Sequence, residues 1–479
     1  MFMKTAPPVL HLPGKLCNPH PAPCTLDNST PLLISTLAID ALLQAFSHFG
    51  VRLGLESIQQ LLKNLGDPHE QVPILHVAGS NGKGSVCAYL STILTEAGYT
   101  VGRYTSPHLI DWTERICLNN QAIAPETLES ILQEVIAAIQ PNDLPPTQFE
   151  VITAAAWLYF AQQEVDVAVM EVGLGGRLDA TNLCDYPLVS IITSISREHW
   201  QRLGPTLADI AWEKAGILKP GCSAVIGQVP WEAASVIHRR ASELGCVATY
   251  PQIARDLGNG WAEYRGVEEY ELESDSEDPE EGSIAHLLKA IRYPLPLQGA
   301  IQLHNSSLAI ATIQLLREQG WQISDDAIAN GIAKTQWAGR LQWVTWQGHK
   351  ILIDGAHNPA SAKVLREFVD TLNPPHSHIH WVMGMLSTKD HGDVFQELLR
   401  SRDSLYLVPV PDHSTAEPAE LAALAKNICP DLAQCHTFAD VVEALETATH
   451  QAGNPDLVVL CGSLYLLGHF LKTGNPVQA

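Results

Sequence analysis

The residues best suited to chemistry form the run Gly79-Ser80-Asn81-Gly82-Lys83-Gly84-Ser85. It follows a short apolar stretch at 73–78 and precedes Val86, Leu90, Ile93 and Leu94, which are spaced as one face of a helix. Glycines at a strand-to-helix turn let backbone N–H groups approach phosphate oxygens. The helix N-terminus adds partial positive charge, and Lys83 supplies a full one. The run departs from G-x-x-x-x-G-K-[ST] because Gly84 follows the lysine directly, so either Ser85 or another residue must supply the usual hydroxyl. A plain turn would explain the glycines but not the lysine among them.

Four further clusters sit at the ends of apolar runs. In Glu171-Val-Gly-Leu-Gly-Gly-Arg177-Leu-Asp179-Ala-Thr-Asn182 a carboxylate precedes a glycine turn, and in an open parallel sheet that edge is where ligands bind. Glu171 can reach a magnesium ion beside the phosphates, although it could equally cap the following turn. The run 191–193 leads to Arg197-Glu198-His199; imidazole is not the preferred ligand of magnesium, so chemistry alone gives His199 little weight. At Ser106-Pro107-His108-Leu109 a hydroxyl is placed to meet metal or substrate, though turn chemistry explains the same residues. Downstream, Asp354-Gly-Ala-His357-Asn358-Pro359 follows the apolar run 351–353. Asp354 could accept from a ribose or an amine, and His357 could contact phosphate or base.

These clusters need a scaffold. Apolar runs at 165–172, 188–193 and 224–226 alternate with helical stretches at 149–162 and 207–218, which predicts a parallel sheet covered by helices. Similar runs recur at 341–346, 351–354, 378–383, 405–408 and 457–461, so a second α/β unit is expected beyond the proline-rich stretch Tyr293-Pro-Leu-Pro-Leu-Gln-Gly299. The expected organisation is a flexible extension over 1–31, a nucleotide-binding domain over 32–297 and a second domain over 298–479. Nine carboxylates crowd between Glu268 and Glu281, which reads as a solvated acidic insertion over 267–282.

The 29 Lys and Arg against 52 Asp and Glu give a formal charge of -23, which repels nucleic acid and anionic membrane surfaces. An anionic ligand must therefore be held by a local cluster. No apolar run approaches the roughly 20 residues that span a bilayer, and a signal-like apolar core is lacking after Lys4. The ten cysteines are dispersed without a C-x-x-C pair, which fits reduced thiols in a cytoplasm. A cytoplasmic enzyme without nucleic-acid or membrane partners is expected.

In their shared order, several motifs resemble the folylpolyglutamate synthase and dihydrofolate synthase family, a branch of the Mur ligase superfamily. They are Leu53-Gly54-Leu55-Glu56, His76 through Ser85, Ser106 to Leu109, Glu171 to Asn182, Glu213-Lys-Ala-Gly-Ile217, Gly339-Arg-Leu341 and Asp354 to Pro359. The resemblance spans 32–468. It implies a P-loop ATPase domain with a parallel-rich sheet, a smaller Rossmann-like C-terminal domain, and ATP bound where they meet. By the same resemblance Ser106, Glu171 and His199 are magnesium ligands. Lys214 matches a lysine that is carbamylated in relatives and then helps hold a second metal, with potassium as a further cation. Asn305, Arg340, Asp354 and His357 match nucleotide contacts, while Ser106, Pro107, His108, Phe149 and Glu150 are the candidates for the pterin substrate. The catalytic set expected is Lys83, Glu171, His199, Lys214 and Arg340.

The activity implied is ATP-dependent addition of L-glutamate to dihydropteroate and to tetrahydrofolate through an acyl phosphate, by a bifunctional monomer. Two departures stand out: Glu198 replaces the Asp that usually precedes the metal-binding His, and Ile301 replaces a His that often precedes Gln302. The first keeps the acidity, and the second is expected to loosen one nucleotide contact. The rival readings are another Mur-type amino-acid ligase and a nucleotide-binding regulator without catalysis. Glycine directly after Lys83 favours the folate branch, and joint retention of Lys83, Glu171, His199 and Lys214 speaks against the regulator.

Overall fold

The computed structural model describes residues 29–50, 52–266, 290–372 and 378–478. The acidic insertion and most of the expected extension lie outside the described residues, although Ser29 already opens the helix Ser29–Gln44.

Eight strands form the first sheet: β1 (Ile74–Ala78), β2 (Val101–Tyr104), β3 (Ile116–Leu118), β4 (Gln121–Ala122), β5 (Val167–Glu171), β6 (Val189–Ile192), β7 (Ser223–Ile226) and β8 (Val247–Thr249). Their order is β4-β3-β2-β5-β1-β6-β7-β8. Neighbours are parallel except where β3 meets β2 and β4. Every residue of β1 and β5 is buried, because helices cover both faces, and such strands show continuous apolar runs rather than alternation. Leu75 and Val77 face helix Lys83–Glu96, whereas Ile74 faces helix Gln148–Gln162. β1 also carries His76, 1% exposed, whose Nε2 lies 2.9 Å from Thr181 Oγ1.

A small antiparallel sheet follows, β9 (Arg255–Gly258), β10 (Trp261–Tyr264) and β11 (Ile291–Pro294). The proline-rich stretch expected to separate the domains therefore ends a strand of the first. Helices Ile301–Glu318 and Asp325–Lys334 also belong to the first domain: Leu308, Ile313, Leu316, Ile328 and Ile332 share one core with Leu75, Val77 and Leu90. Gly331 packs so tightly that a Cβ there would lie 2.5 Å from Ile93 Cα. The boundary expected at 298 consequently moves to the crossing at 335–341. Proline and glycine mark loops in general, and only packing decides which loop divides two cores.

The second domain holds β12 (Gln342–Trp346), β13 (His349–Ile353), β14 (Ile379–Met383), β15 (Ser404–Leu407), β16 (Gln434–Thr437), β17 (Leu457–Cys461) and β18 (Val477–Gln478). The order is β16-β15-β14-β17-β13-β12-β18, parallel from β16 to β13 and antiparallel at β12. Separate apolar clusters cover its two faces. The fold is thus α/β, a large parallel-rich sheet joined to a smaller Rossmann-like domain.

Candidate active site

Strand ends of the two sheets meet around a cavity of about 750 Å³. All the residues expected to serve in catalysis, nucleotide, metal or pterin binding line it except Gly79 and His108.

The phosphate loop leaves β1 and enters helix Lys83–Glu96 with Gly82 as N-cap at φ 85°, a left-handed conformation that glycine adopts without strain. Lys83 Nζ folds back on the loop, donating to the carbonyls of Gly79 (3.0 Å) and Ser80 (3.3 Å). Lys214 Nζ, from helix Leu207–Ala215, donates to the same Gly79 oxygen at 2.8 Å. Gly79 therefore serves as the shared anchor of two ammonium groups behind the cavity wall. Burial, followed by the charge of Lys83, brings Lys214 down to about 7. Asn305 approaches from helix Ile301–Glu318, where a Cβ on Gly82 would come within 2.5 Å of its Oδ1.

Glu171, at the end of β5, is 5% exposed and accepts from the Ser106 N–H at 3.2 Å. Burial pushes its carboxyl above the usual range, opposed first by Lys83. Desolvation at the cavity edge lowers His199 to about 4, although 45% of its side chain stays exposed. Among the described residues no three His, Cys, Asp or Glu side chains converge as a preformed metal cage. That suits magnesium, which uses one or two carboxylates and takes its remaining oxygens from phosphate and water.

From the second domain, Arg340 and Asp354 reach the cavity beside the crossing. Asp354 accepts from the Leu341 N–H (2.9 Å) and the Ala356 N–H (2.8 Å), so its carboxylate pins the crossing to the end of β13. His357 places Nδ1 2.8 Å from Gly355 O and Nε2 3.0 Å from Glu198 Oε1. That last contact crosses the domain interface. Lys389 Nζ approaches the same Glu198 oxygen at 3.8 Å, Asn358 Nδ2 donates to Asn81 Oδ1 at 3.0 Å, and Trp200 Nε1 donates to Asp390 Oδ1 at 3.0 Å.

The expected pterin residues separate. Ser106 and Pro107, joined by a cis peptide bond, line the cavity. Phe149 does too, packed against Gly173 so closely that no Cβ could stand there. Glu150 lines it but is largely committed to structure: Oε2 accepts from the Thr147 N–H (2.6 Å) and Arg52 Nη2 (3.0 Å) as part of the capping box of helix Gln148–Gln162. His108 lies outside the cavity lining. Its Nδ1 accepts from Arg115 Nε at 2.9 Å, and the next residue, Leu109, docks on the second domain, where a Cβ on Gly468 would overlap its carbonyl oxygen.

A family description for the Mur ligase middle domain matches residues 77–313, and one for the C-terminal domain of dihydrofolate synthetase matches 340–473. The dihydrofolate synthase/folylpolyglutamate synthase of Bacillus subtilis is 32% identical over 433 residues, covering 88% of this chain and 95% of the relative. The chain belongs to this family. Among solved structures, the folylpolyglutamate synthase of Mycobacterium tuberculosis complexed with ADP is 27% identical with a TM-score of 0.80, covering 94% of this chain and 100% of that one. The bifunctional enzyme of Yersinia pestis complexed with AMPPNP and a manganese ion is 29% identical with a TM-score of 0.72, covering 91% and 97%. Members of the family are ATP-dependent ligases that use a divalent metal, as the resemblance implied.

Sequence reasoning passed over Lys389 and placed Glu198 in the strand-end cluster beside His199 without giving it a role. Lys389 lies in Ser387-Thr-Lys-Asp390 just beyond β14, another polar cluster at a strand end, and the rule applied to β5 and β13 would have found it. Nothing local marks Glu198 as a bridge between domains.

Proposed function

We propose that this chain couples ATP hydrolysis to the joining of L-glutamate to the carboxylate of dihydropteroate and of tetrahydrofolate, acting as a cytoplasmic monomer. The observation that carries the reading is the single cavity in which phosphate loop, Glu171 and the second-domain side chains Arg340, His357 and Lys389 converge. The described cysteines are free and no described helix is long and apolar enough to cross a membrane, both compatible with a cytoplasmic setting.

A carboxylate is a poor electrophile, so the acceptor's carboxylate first attacks the γ-phosphorus of ATP, releasing ADP and forming an acyl phosphate. The amine of glutamate then attacks that carbonyl, an amide forms, and phosphate departs with its electron pair. Lys83 and Arg340 neutralise charge on the phosphoryl oxygens from opposite domains, work that is mostly positioning and electrostatics. Asn305, Asp354 and His357 flank the nucleotide, and Phe149, Ser106 and Pro107 border the pterin. The residues present fit a divalent ion: a nearly buried carboxylate, a hydroxyl and a neutral imidazole at Glu171, Ser106 and His199 would hold it, and when bound it would neutralise the β- and γ-phosphates. The low value of Lys214 supports carbamylation, because the reaction with carbon dioxide needs the neutral amine. Contacts between the domains enclose the acyl phosphate and keep water from it.

Glutamate incorporation by the purified protein, measured with dihydropteroate and tetrahydrofolate separately, tests the reading. ADP release that depends on both an acceptor and glutamate supports it, and the acceptor-dependent product identifies the specificity. ADP release indifferent to both compounds would sink it.

A further inference from the structure

Gly84, the residue that breaks the usual phosphate-loop pattern, is explained by an indole. A Cβ built on it would lie 2.5 Å from Trp337 Cζ2 and 2.9 Å from Cε2, both inside the distance that real side chains keep, and 3.0 Å from Nε1. The residue sits in the first turn of helix Lys83–Glu96 without a positive φ, so backbone conformation does not demand glycine there. The ring itself is held. The guanidinium of Arg103 lies 5.2 Å from its centroid.

Arg103 is buried and donates to Cys117 Sγ (3.1 Å) and Asn120 Oδ1 (3.3 Å), while its Nε has no hydrogen-bond partner. Among the described residues no ion pair includes it. A buried guanidinium without a carboxylate is costly, and attraction to the π face of the indole offsets part of that cost. Trp337 stands in the crossing 335–341, the covalent link between the domains, three residues before Arg340. Arg340 is flanked by Gly339 at φ 71° and Leu341 at φ 44°, two left-handed backbones whose direction depends on how the crossing is seated.

We propose that Trp337 is a positioning residue: wedged against Gly84 and Arg103, it fixes the crossing to the first turn of the phosphate-loop helix and thereby sets where Arg340 meets the nucleotide. Gly84 is glycine to admit the indole. The consequence for catalysis rests on the ligase reading above, but the geometry can be tested without it.

The test is a double-mutant cycle of Gly84→Ala and Trp337→Ala, with Trp337→Phe as the conservative variant. AMPPNP affinity is measured by calorimetry, and kcat and KM for ATP by glutamate incorporation. Each alanine alone is expected to weaken AMPPNP binding by about tenfold, or ~1.4 kcal/mol, and Trp337→Phe to stay within about threefold of the parent. In the Trp337→Ala background the Gly84→Ala change should cost less than about threefold, because the space has opened. Equal cost of Gly84→Ala in both backgrounds overturns the proposal, as does a Trp337→Ala protein that binds and turns over like the parent. Should Trp337→Ala not fold, Trp337→Leu closes the same cycle. A non-additive AMPPNP cycle in a protein that incorporates no glutamate upholds this inference while rejecting the ligase reading.

Discussion

Replacing Glu198 with alanine should unlatch the two domains without unfolding either. The carboxylate is 8% exposed and takes His357 Nε2 at 3.0 Å and Lys389 Nζ at 3.8 Å, both from the second domain, with His199 Nε2 at 3.7 Å on its own side. Burial alone would raise it, but the hydrogen bond and charge of His357, with Lys83 behind, hold the carboxyl well below its usual range. Removing one partner from a buried charged set costs on the order of 3–5 kcal/mol, because the remaining charges stay desolvated. Here they need not, since separation of the domains rehydrates Lys389 and His357. The cost therefore falls on the closed arrangement, and ~3 kcal/mol corresponds to about a hundredfold loss of it relative to the open one. The assay is kcat/KM for ATP at saturating folate acceptor and glutamate, with thermal unfolding followed in parallel. The expected result is a fall of about a hundredfold with a melting midpoint close to the parent's, and Glu198→Gln in between because an amide oxygen can still accept. Glu198→Ala with kcat/KM within about threefold of the parent would refute the reasoning, and so would a collapse of the melting midpoint.

Lys83→Ala should lower kcat at saturating ATP by at least about a hundredfold, because a preorganised charge on the phosphoryl oxygens is lost, and near-normal turnover would exclude the assigned role. Gly468→Ala places a methyl group on the Leu109 carbonyl and should depress kcat by forcing the docked loop off the second domain, with melting of the parent retained; a rate assay beside a thermal scan checks it. Burial lowers His76 to about 3 from its ordinary 6.5, so the unfolded chain binds the extra proton between those values. Its contribution to stability is fully present above pH 6.5 and is lost as pH falls. Between pH 7.5 and pH 5.0 that loss is about 2 kcal/mol, and urea titrations of the parent and His76→Asn should differ by this amount in their pH dependence.

Much of the fold was legible because it is written locally. β5, β6 and β17 are continuous apolar runs since helices bury both of their faces, and the sequence placed them to within a residue or two. Strands β3, β4 and β9 to β11 are short or partly exposed and leave no such trace.

By itself the sequence determined that a lysine-bearing glycine loop, a strand-end carboxylate at Glu171 and a second strand-end cluster at Asp354 would exist, because glycine turns and apolar runs act over a few residues. Only the tertiary structure decided where one core stops and the next begins, that His108 leaves the cavity while its neighbour Leu109 docks, and that Glu198 reaches His357 across the interface. It also decided why Gly84 has no side chain. Each of these rests on contact between residues far apart in the chain, where packing and desolvation set the energy and no local pattern carries the information.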